Sequence, residues 1–224
     1  MLSFLVQLLL IWILVVIVHV TAMAFAFQAF GVTIREVAFG FGPVVYRHGK
    51  VLIKLVPSGG YVKLKDTNDG EFYGEVSSSV DDAFNHKSRW MQSMMSLSGP
   101  AALVIVASVT NATPGLTGVV SGFSQIVCGA LEPLSTAQMY LESAKDVLNQ
   151  SGFFALLGLL AAKVAAFNLL PLTYTNGGQA ILPWVRRDRR HPEEWEMPLA
   201  NFSIWIAIAI ALSWFVALIY FVAH

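Results

Sequence analysis

The sequence predicts an α-helical integral membrane protein of about four transmembrane helices, with a membrane-associated β-hairpin between the first and second. Three observations carry this. Of 224 residues, 56% are hydrophobic and 12% are charged, whereas a soluble domain is about a quarter charged. Leu2 to Phe30 contains no Asp, Glu, Lys or Arg and exceeds the roughly 20 apolar residues needed to cross a hydrocarbon core. Three further apolar stretches follow, and the basic residues gather in two of the connections between them.

The helices are expected at about 2–30, 90–112, 152–172 and 202–223, in a single membrane domain over 1–224. Before Phe30 there is no basic n-region with a short apolar core and a small-residue cleavage site, so a span is expected there rather than a signal peptide. The segment 115–131 is apolar but rich in Gly and Ser, and it ends at Glu132-Pro133. That composition predicts a surface or half-inserted piece.

Between the first two helices, Val37 to Tyr46 and Val51 to Val56 are β-prone runs around Arg47-His48-Gly49-Lys50, which predicts a hairpin over about 34–65. Pro57-Ser58-Gly59-Gly60-Tyr61 should end it with turn chemistry and lead into a short strand, Val62 to Leu64. Asp66 to Asp82 is polar and acidic and is expected to be a mobile loop. Arg35, Arg47, Lys50, Lys54, Lys63, Lys65, Lys87 and Arg89 lie in this first connection, and Arg186, Arg187, Arg189 and Arg190 in the last. By the positive-inside rule both basic loops face the cytoplasm and both termini the far side.

Composition also excludes. Lys plus Arg equals Asp plus Glu at 14 each, and no basic stripe interleaves with aromatics, so nucleic acid is not an expected partner. No spacing points to a nucleotide, heme, flavin or quinone. The single Cys128 forms no internal disulfide and no CxxC pair.

Four segments then carry a family likeness. Leu55-Val56-Pro57-Ser58-Gly59-Gly60-Tyr61-Val62-Lys63 follows the hairpin. Ala83-Phe84-Asn85-His86-Lys87-Ser88 precedes Ser98-Gly99-Pro100-Ala101. Leu134-Ser135-Thr136-Ala137-Gln138 is a weaker match. Asn168-Leu169-Leu170-Pro171-Leu172 leads to Asn176-Gly177-Gly178-Gln179. Together, in this order, they resemble the site-2 proteases, intramembrane zinc enzymes, and within them the bacterial regulator-of-sigma-E protease branch. The resemblance implies the inner (cytoplasmic) membrane of a bacterium. The branch's PDZ domains would fall between the second and third helices, where about 40 residues are too few for one such domain.

The likeness also locates the chemistry that is missing. The family's first helix carries HExxH, two zinc-binding histidines one turn apart and a glutamate base. The matching window here is His19-Val20-Thr21-Ala22-Met23. By the resemblance Val20 stands for the base, Met23 for the second ligand, and Asn176 for the third, the Asp of D-G-G. Thioether sulfur suits soft Cu(I) better than zinc, a neutral amide lacks a carboxylate's charge, and Val20 accepts no proton. No intact catalytic set and no metal or other cofactor is therefore expected. Zinc enters only under the alternative, a divergent intramembrane metalloendopeptidase with non-standard ligands. The plainer readings are a histidine bonded to a neighbouring helix and a Met that packs.

Active relatives hold an unwound substrate segment along the hairpin edge and the Asn of "NLLP". Here that implies a groove of Val51, Ile53, Leu55, Asn168 and Pro171. Lys163, in the middle of the third apolar helix, has three readings: it borders the vacated metal cavity, it pairs with an acidic residue of a partner's membrane helix, or it is deprotonated. Gly99-Pro100 and Asn168 to Pro171 are read as helix entry and exit. The arginine cluster binds anionic lipid or marks topology through local bridges to Glu193, Glu194 and Glu196. The expected partners are the bilayer and a transmembrane helix of another protein, and the expected function is a pseudoprotease serving a membrane complex as subunit, regulator or assembly factor.

Overall fold

The computed structural model describes residues 2–68, 80–188 and 190–224. Most of the predicted acidic loop (69–79) and Arg189 lie outside the described residues.

The order of elements is α1 (Leu2–Ala29), β1 (Ile34–His48), β2 (Val51–Leu64), α2 (Arg89–Leu131), α3 (Thr136–Gln150), α4 (Phe153–Asn168), α5 (Asn176–Val185) and α6 (Glu196–Ala223). Three of these helices hold stretches long and apolar enough to cross a bilayer: Val6–Ala29, Arg89–Thr110 and Glu196–Ala223. The stretch expected as the remaining span is helical over only 16 residues, about 24 Å at 1.5 Å per residue, against a core of about 30 Å. It stops at Asn168 because the chain turns there towards Pro171, whose ring cannot continue a helix.

The segment 115–131 is not a separate surface piece. It continues α2, and its small residues are used for packing. A Cβ on Gly118 would stand 3.3 Å from the Ala162 Cβ, and one on Gly122 2.7 Å from the Ala166 Cβ. Gly118 and Gly122 are one turn apart, as are Ala162 and Ala166, so the two helix backbones close on each other as small-residue stripes allow. Val15, Leu103, Ala107, Val119, Ala161 and Ala165 complete this α1–α2–α4 core. The Gly and Ser content read as a surface signal is a helix-packing signal in this setting.

The hairpin forms as expected, turning at Gly49 with φ of 55°. Residues 62–64 are no separate strand but the end of β2, paired with Ile34 to Val37. The strands are antiparallel, and the long hairpin folds back so that Val37, Ala38 and Phe39 face both Val62, Tyr61 and Gly60 and Val51, Leu52 and Ile53. The Val37 N–H donates to the Lys50 carbonyl at 2.8 Å. Val51 to Ile53 are therefore interior to the sheet, which corrects the reading of that strand as an open edge.

Gly99-Pro100 is corrected too. Helix α2 begins earlier, with the Ser88 hydroxyl accepting from the Met91 N–H at 3.3 Å, so Gly99-Pro100 lies inside the helix. Proline has no N–H to give the carbonyl four residues back, and the Ser96 carbonyl is left outside the helical ladder.

The two basic connections meet at one end of the molecule. The Asn85 and Asn68 amides donate to the Arg190 carbonyl at 2.9 and 2.6 Å, and Arg89 donates to the carbonyls of Arg186 and Arg187. Arg186 makes a two-point pair with Glu196, both contacts 2.6 Å, the local bridge expected of the cluster. At the hairpin base, Lys65 is buried and pairs with Asp82 at 2.7 Å, while the Thr33 hydroxyl donates to the other carboxylate oxygen. Burial works to raise the Asp82 carboxyl, but Lys65 and Thr33 outweigh it and hold it below the ordinary carboxylate range.

Candidate functional site

The positions singled out in α1 and at the start of α5 come together. His19 and Met23 are four residues apart and share a face of α1. Asn176 opens α5, and its place is set by the turn before it. The Thr175 hydroxyl accepts from the Gly178 N–H at 3.4 Å. Gly177 and Gly178 lie so close to the carbonyls of Leu169, Leu170 and Leu172 that a Cβ on either would collide with them. Asn168 to Leu172 thus fold down onto the Gly-Gly start of α5, and Asn176 is driven into the bundle.

There its amide has two acceptors. Nδ2 donates to the Ser96 carbonyl at 2.8 Å and lies 3.4 Å from the Met23 sulfur. The first is the carbonyl that Pro100 leaves free. An amide can donate to it, whereas an ionised carboxylate only accepts. Asn176 is therefore matched chemically to its surroundings in a way an aspartate without a metal would not be.

The His19 ring lies against Asn176 and the Gly99 backbone. A Cβ at Gly99 would stand 2.7 Å from His19 Cε1, so this glycine gives the imidazole its space. His19 Nδ1 is buried and has no hydrogen-bond partner among the described residues. Val20 is fully buried, its methyl against Gly60 of β2. The position resembling the catalytic base is thus a contact that seats the hairpin on α1.

The donor set in this corner is one imidazole, one thioether and one amide. Among the described residues no three His, Cys, Asp or Glu side chains come together as a metal site. A catalytic zinc takes three protein ligands from histidine, cysteine and carboxylate. The residues at these three positions do not fit it.

Beside the corner opens a cavity of about 590 Å³. Its walls are α1 (Trp12, His19, Val20), β2 (Ser58 to Gly60), α4 (Lys163, Asn168) and the late part of α2, with Tyr174 at the rim. Trp12 Nε1 donates to the Pro57 carbonyl at 2.5 Å and fastens the hairpin over α1. Asn168 lines the cavity, while its Nδ2 is given to the Val164 carbonyl of its own helix at 2.9 Å. Pro171 and Leu55 are exposed and are not among the lining residues of this cavity. Val51 and Ile53 line a second, apolar groove of about 360 Å³ against Ile13, Val16 and Ile17 of α1. Of the five residues grouped as one groove, Val51 and Ile53 line this groove, Asn168 lines the cavity, and Leu55 and Pro171 line neither.

Lys163 borders the cavity that His19 borders, but its ammonium turns to α2. It donates to Gln125 Oε1 at 2.5 Å, the Gly118 carbonyl at 3.3 Å and the Ser121 hydroxyl at 3.4 Å. All three acceptors are neutral. Sequence reasoning missed Ser96, Gly99 and these three partners. For Ser96 a signal exists, since counting four residues back from Pro100 finds the unpaired carbonyl.

Comparison with known proteins gives the family. A family model described as Peptidase family M50 matches residues 7–212. A protein of Chlamydia trachomatis serovar D named "Putative zinc metalloprotease" is 32% identical over 101 residues, 41% of this chain and 16% of that protein. Proteins of Streptococcus pyogenes serotypes M3 and M6, also named as such metalloproteases, are each 27% identical over 103 residues, 44% of this chain and 24% of theirs. The chain therefore matches about a sixth to a quarter of the length of these relatives.

Proposed function

The chain belongs to peptidase family M50, and from that premise we propose that it is a membrane pseudoprotease. It keeps the site-2 protease frame and cavity to hold transmembrane segments without hydrolysing them, as a subunit, regulator or assembly factor of a membrane complex. One observation carries the reading. The Asn176 amide is committed to the Ser96 carbonyl and the Met23 sulfur, so the third-ligand position serves a hydrogen bond that a metal-binding carboxylate could not make. Val20, buried against the hairpin, removes the general base. Both basic connections, which meet at one end of the molecule, face the cytoplasm of a bacterial inner membrane in this reading.

A second reading, a divergent zinc metalloendopeptidase, draws on the unpartnered His19 Nδ1. One experiment separates the two. The purified full chain is assayed for zinc content and for cleavage of a membrane-spanning peptide in vesicles. The pseudoprotease reading expects peptide retained uncut and zinc far below one ion per chain. Cleavage that is lost on chelation and on His19→Ala would sink it.

A further inference from the structure

We infer that the occupant of the 590 Å³ cavity is a membrane-spanning segment carrying a carboxylate near its middle, recognised by the Lys163 ammonium. This rests on the proposal that the cavity holds transmembrane segments, and it names which ones.

Charge and depth carry the inference. Lys163 lies inside the apolar helix α4, in its second half, where a charged amine is costly unless it is paired or faces a cavity. Its three acceptors are neutral, and among the described residues no carboxylate pairs with it. Hydrogen bonds satisfy its donors and leave its charge uncompensated. Two of the three contacts are long, at 3.3 and 3.4 Å, and those are the ones an incoming carboxylate replaces, while Gln125 at 2.5 Å keeps the amine in place. The lysine side chain borders open space, because Lys163 lines the cavity together with His19 and Asn168, and its ammonium swings from α2 to meet the carboxylate there.

Depth selects the source of the carboxylate. His19 shares the cavity wall with Lys163 and stands near the middle of the Val6–Ala29 span. A lipid phosphate sits at the interface and would have to be drawn to mid-bilayer to reach this amine. A carboxylate on a spanning helix is carried to that depth by its own segment.

The test uses the full chain in phosphatidylcholine vesicles, with a donor dye on its single cysteine, Cys128. The probes are two Leu/Ala membrane-spanning peptides bearing an acceptor dye, one with a central Asp and one with Asn in its place. Measurements are made at about pH 8, because burial raises a carboxyl's pKa. The Asp peptide is expected to associate about tenfold or more tightly than the Asn peptide. That preference should vanish in Lys163→Gln, checked to be folded by a thermal unfolding like the parent's, and persist in Lys163→Arg. Equal binding of the two peptides overturns this inference and leaves the groove reading standing. Binding of neither overturns both. An Asp preference that survives Lys163→Gln assigns recognition to another group and overturns it. So does Lys163-dependent retention of phosphatidylglycerol without any peptide preference.

Discussion

Two polar corners beside the cavity differ in kind. At one, His19, Met23 and Asn176 stand together with no carboxylate among them, and the bond from Asn176 to Ser96 closes the corner on itself. At the other, Lys163 brings a charge that, among the described residues, only neutral groups meet. The contrast teaches that placement and chemistry are fixed by different residues. Close approaches at Gly99, to the His19 ring, and at Gly177 and Gly178, to the backbone of Leu169 to Leu172, set the first corner's geometry. The chemistry lies in a few side-chain atoms.

The largest expected effect would erase this contrast by returning the first corner to metal chemistry. Met23→His with Asn176→Asp, added to the existing His19, restores three nitrogen and oxygen ligands. Zinc in the purified protein should rise from near none to roughly one ion per chain, measured by elemental analysis. Val20→Glu is left out because that position is fully buried against the hairpin. A double variant that stays zinc-free would mean that the three positions are not held at ligand spacing.

Asn176→Asp alone sharpens the same corner. With no metal, the carboxylate faces the Ser96 carbonyl, and an amide donor is exchanged for a second acceptor. A loss of about 2 to 3 kcal/mol is expected at neutral pH, read as a lower thermal midpoint in detergent. The deficit should shrink in acid, where a protonated carboxyl again donates to that carbonyl. Equal stability at neutral pH would refute the account of Pro100 and Ser96.

At the second corner, Gln125→Leu removes the shortest of the lysine's contacts and should cost about 1 to 2 kcal/mol. In a Lys163→Met background the same change should cost almost nothing, so a double-mutant cycle isolates the pair. An equal cost in both backgrounds would make Gln125 a packing residue and leave the lysine unanchored.

Much of the frame was legible in the sequence, for reasons particular residues make clear. Charge-free runs announce α1 and α6 because lipid sets the requirement, and Gly49 between β-prone runs announces the hairpin because the turn needs its conformation. The length of α2 was not legible. Gly118 and Gly122 are helix breakers in water, and they become packing surface only once Ala162 and Ala166 are known to face them. The folded-back sheet was hidden for a similar reason, since local pattern cannot show that Val37 to Phe39 serve two neighbours. His19 and Met23 share a face by spacing alone, whereas Asn176 joined them only through the family likeness. The partners of Lys163 lie about 40 residues away and carry no pattern of their own.

The smallest expected effect lies outside both corners and tests whether they are separable from the rest of the fold. Lys65 and Asp82 join the hairpin base to the entry of α2. The Asp82 carboxyl is held below its ordinary range in the folded protein, near about 4 when unfolded, so the folded state binds its proton less readily. The stabilisation is therefore full above the unfolded value and is lost as pH falls through the lower, folded one. Asp82→Asn keeps one oxygen to accept from Lys65 and turns an amide N–H to the Thr33 hydroxyl, which can accept it, and it should cost on the order of 1 kcal/mol at neutral pH. It should also flatten the acid limb of stability against pH, while zinc content and peptide preference stay as in the parent. A change in either of those would join this pair to the cavity and break the separation between frame and chemistry.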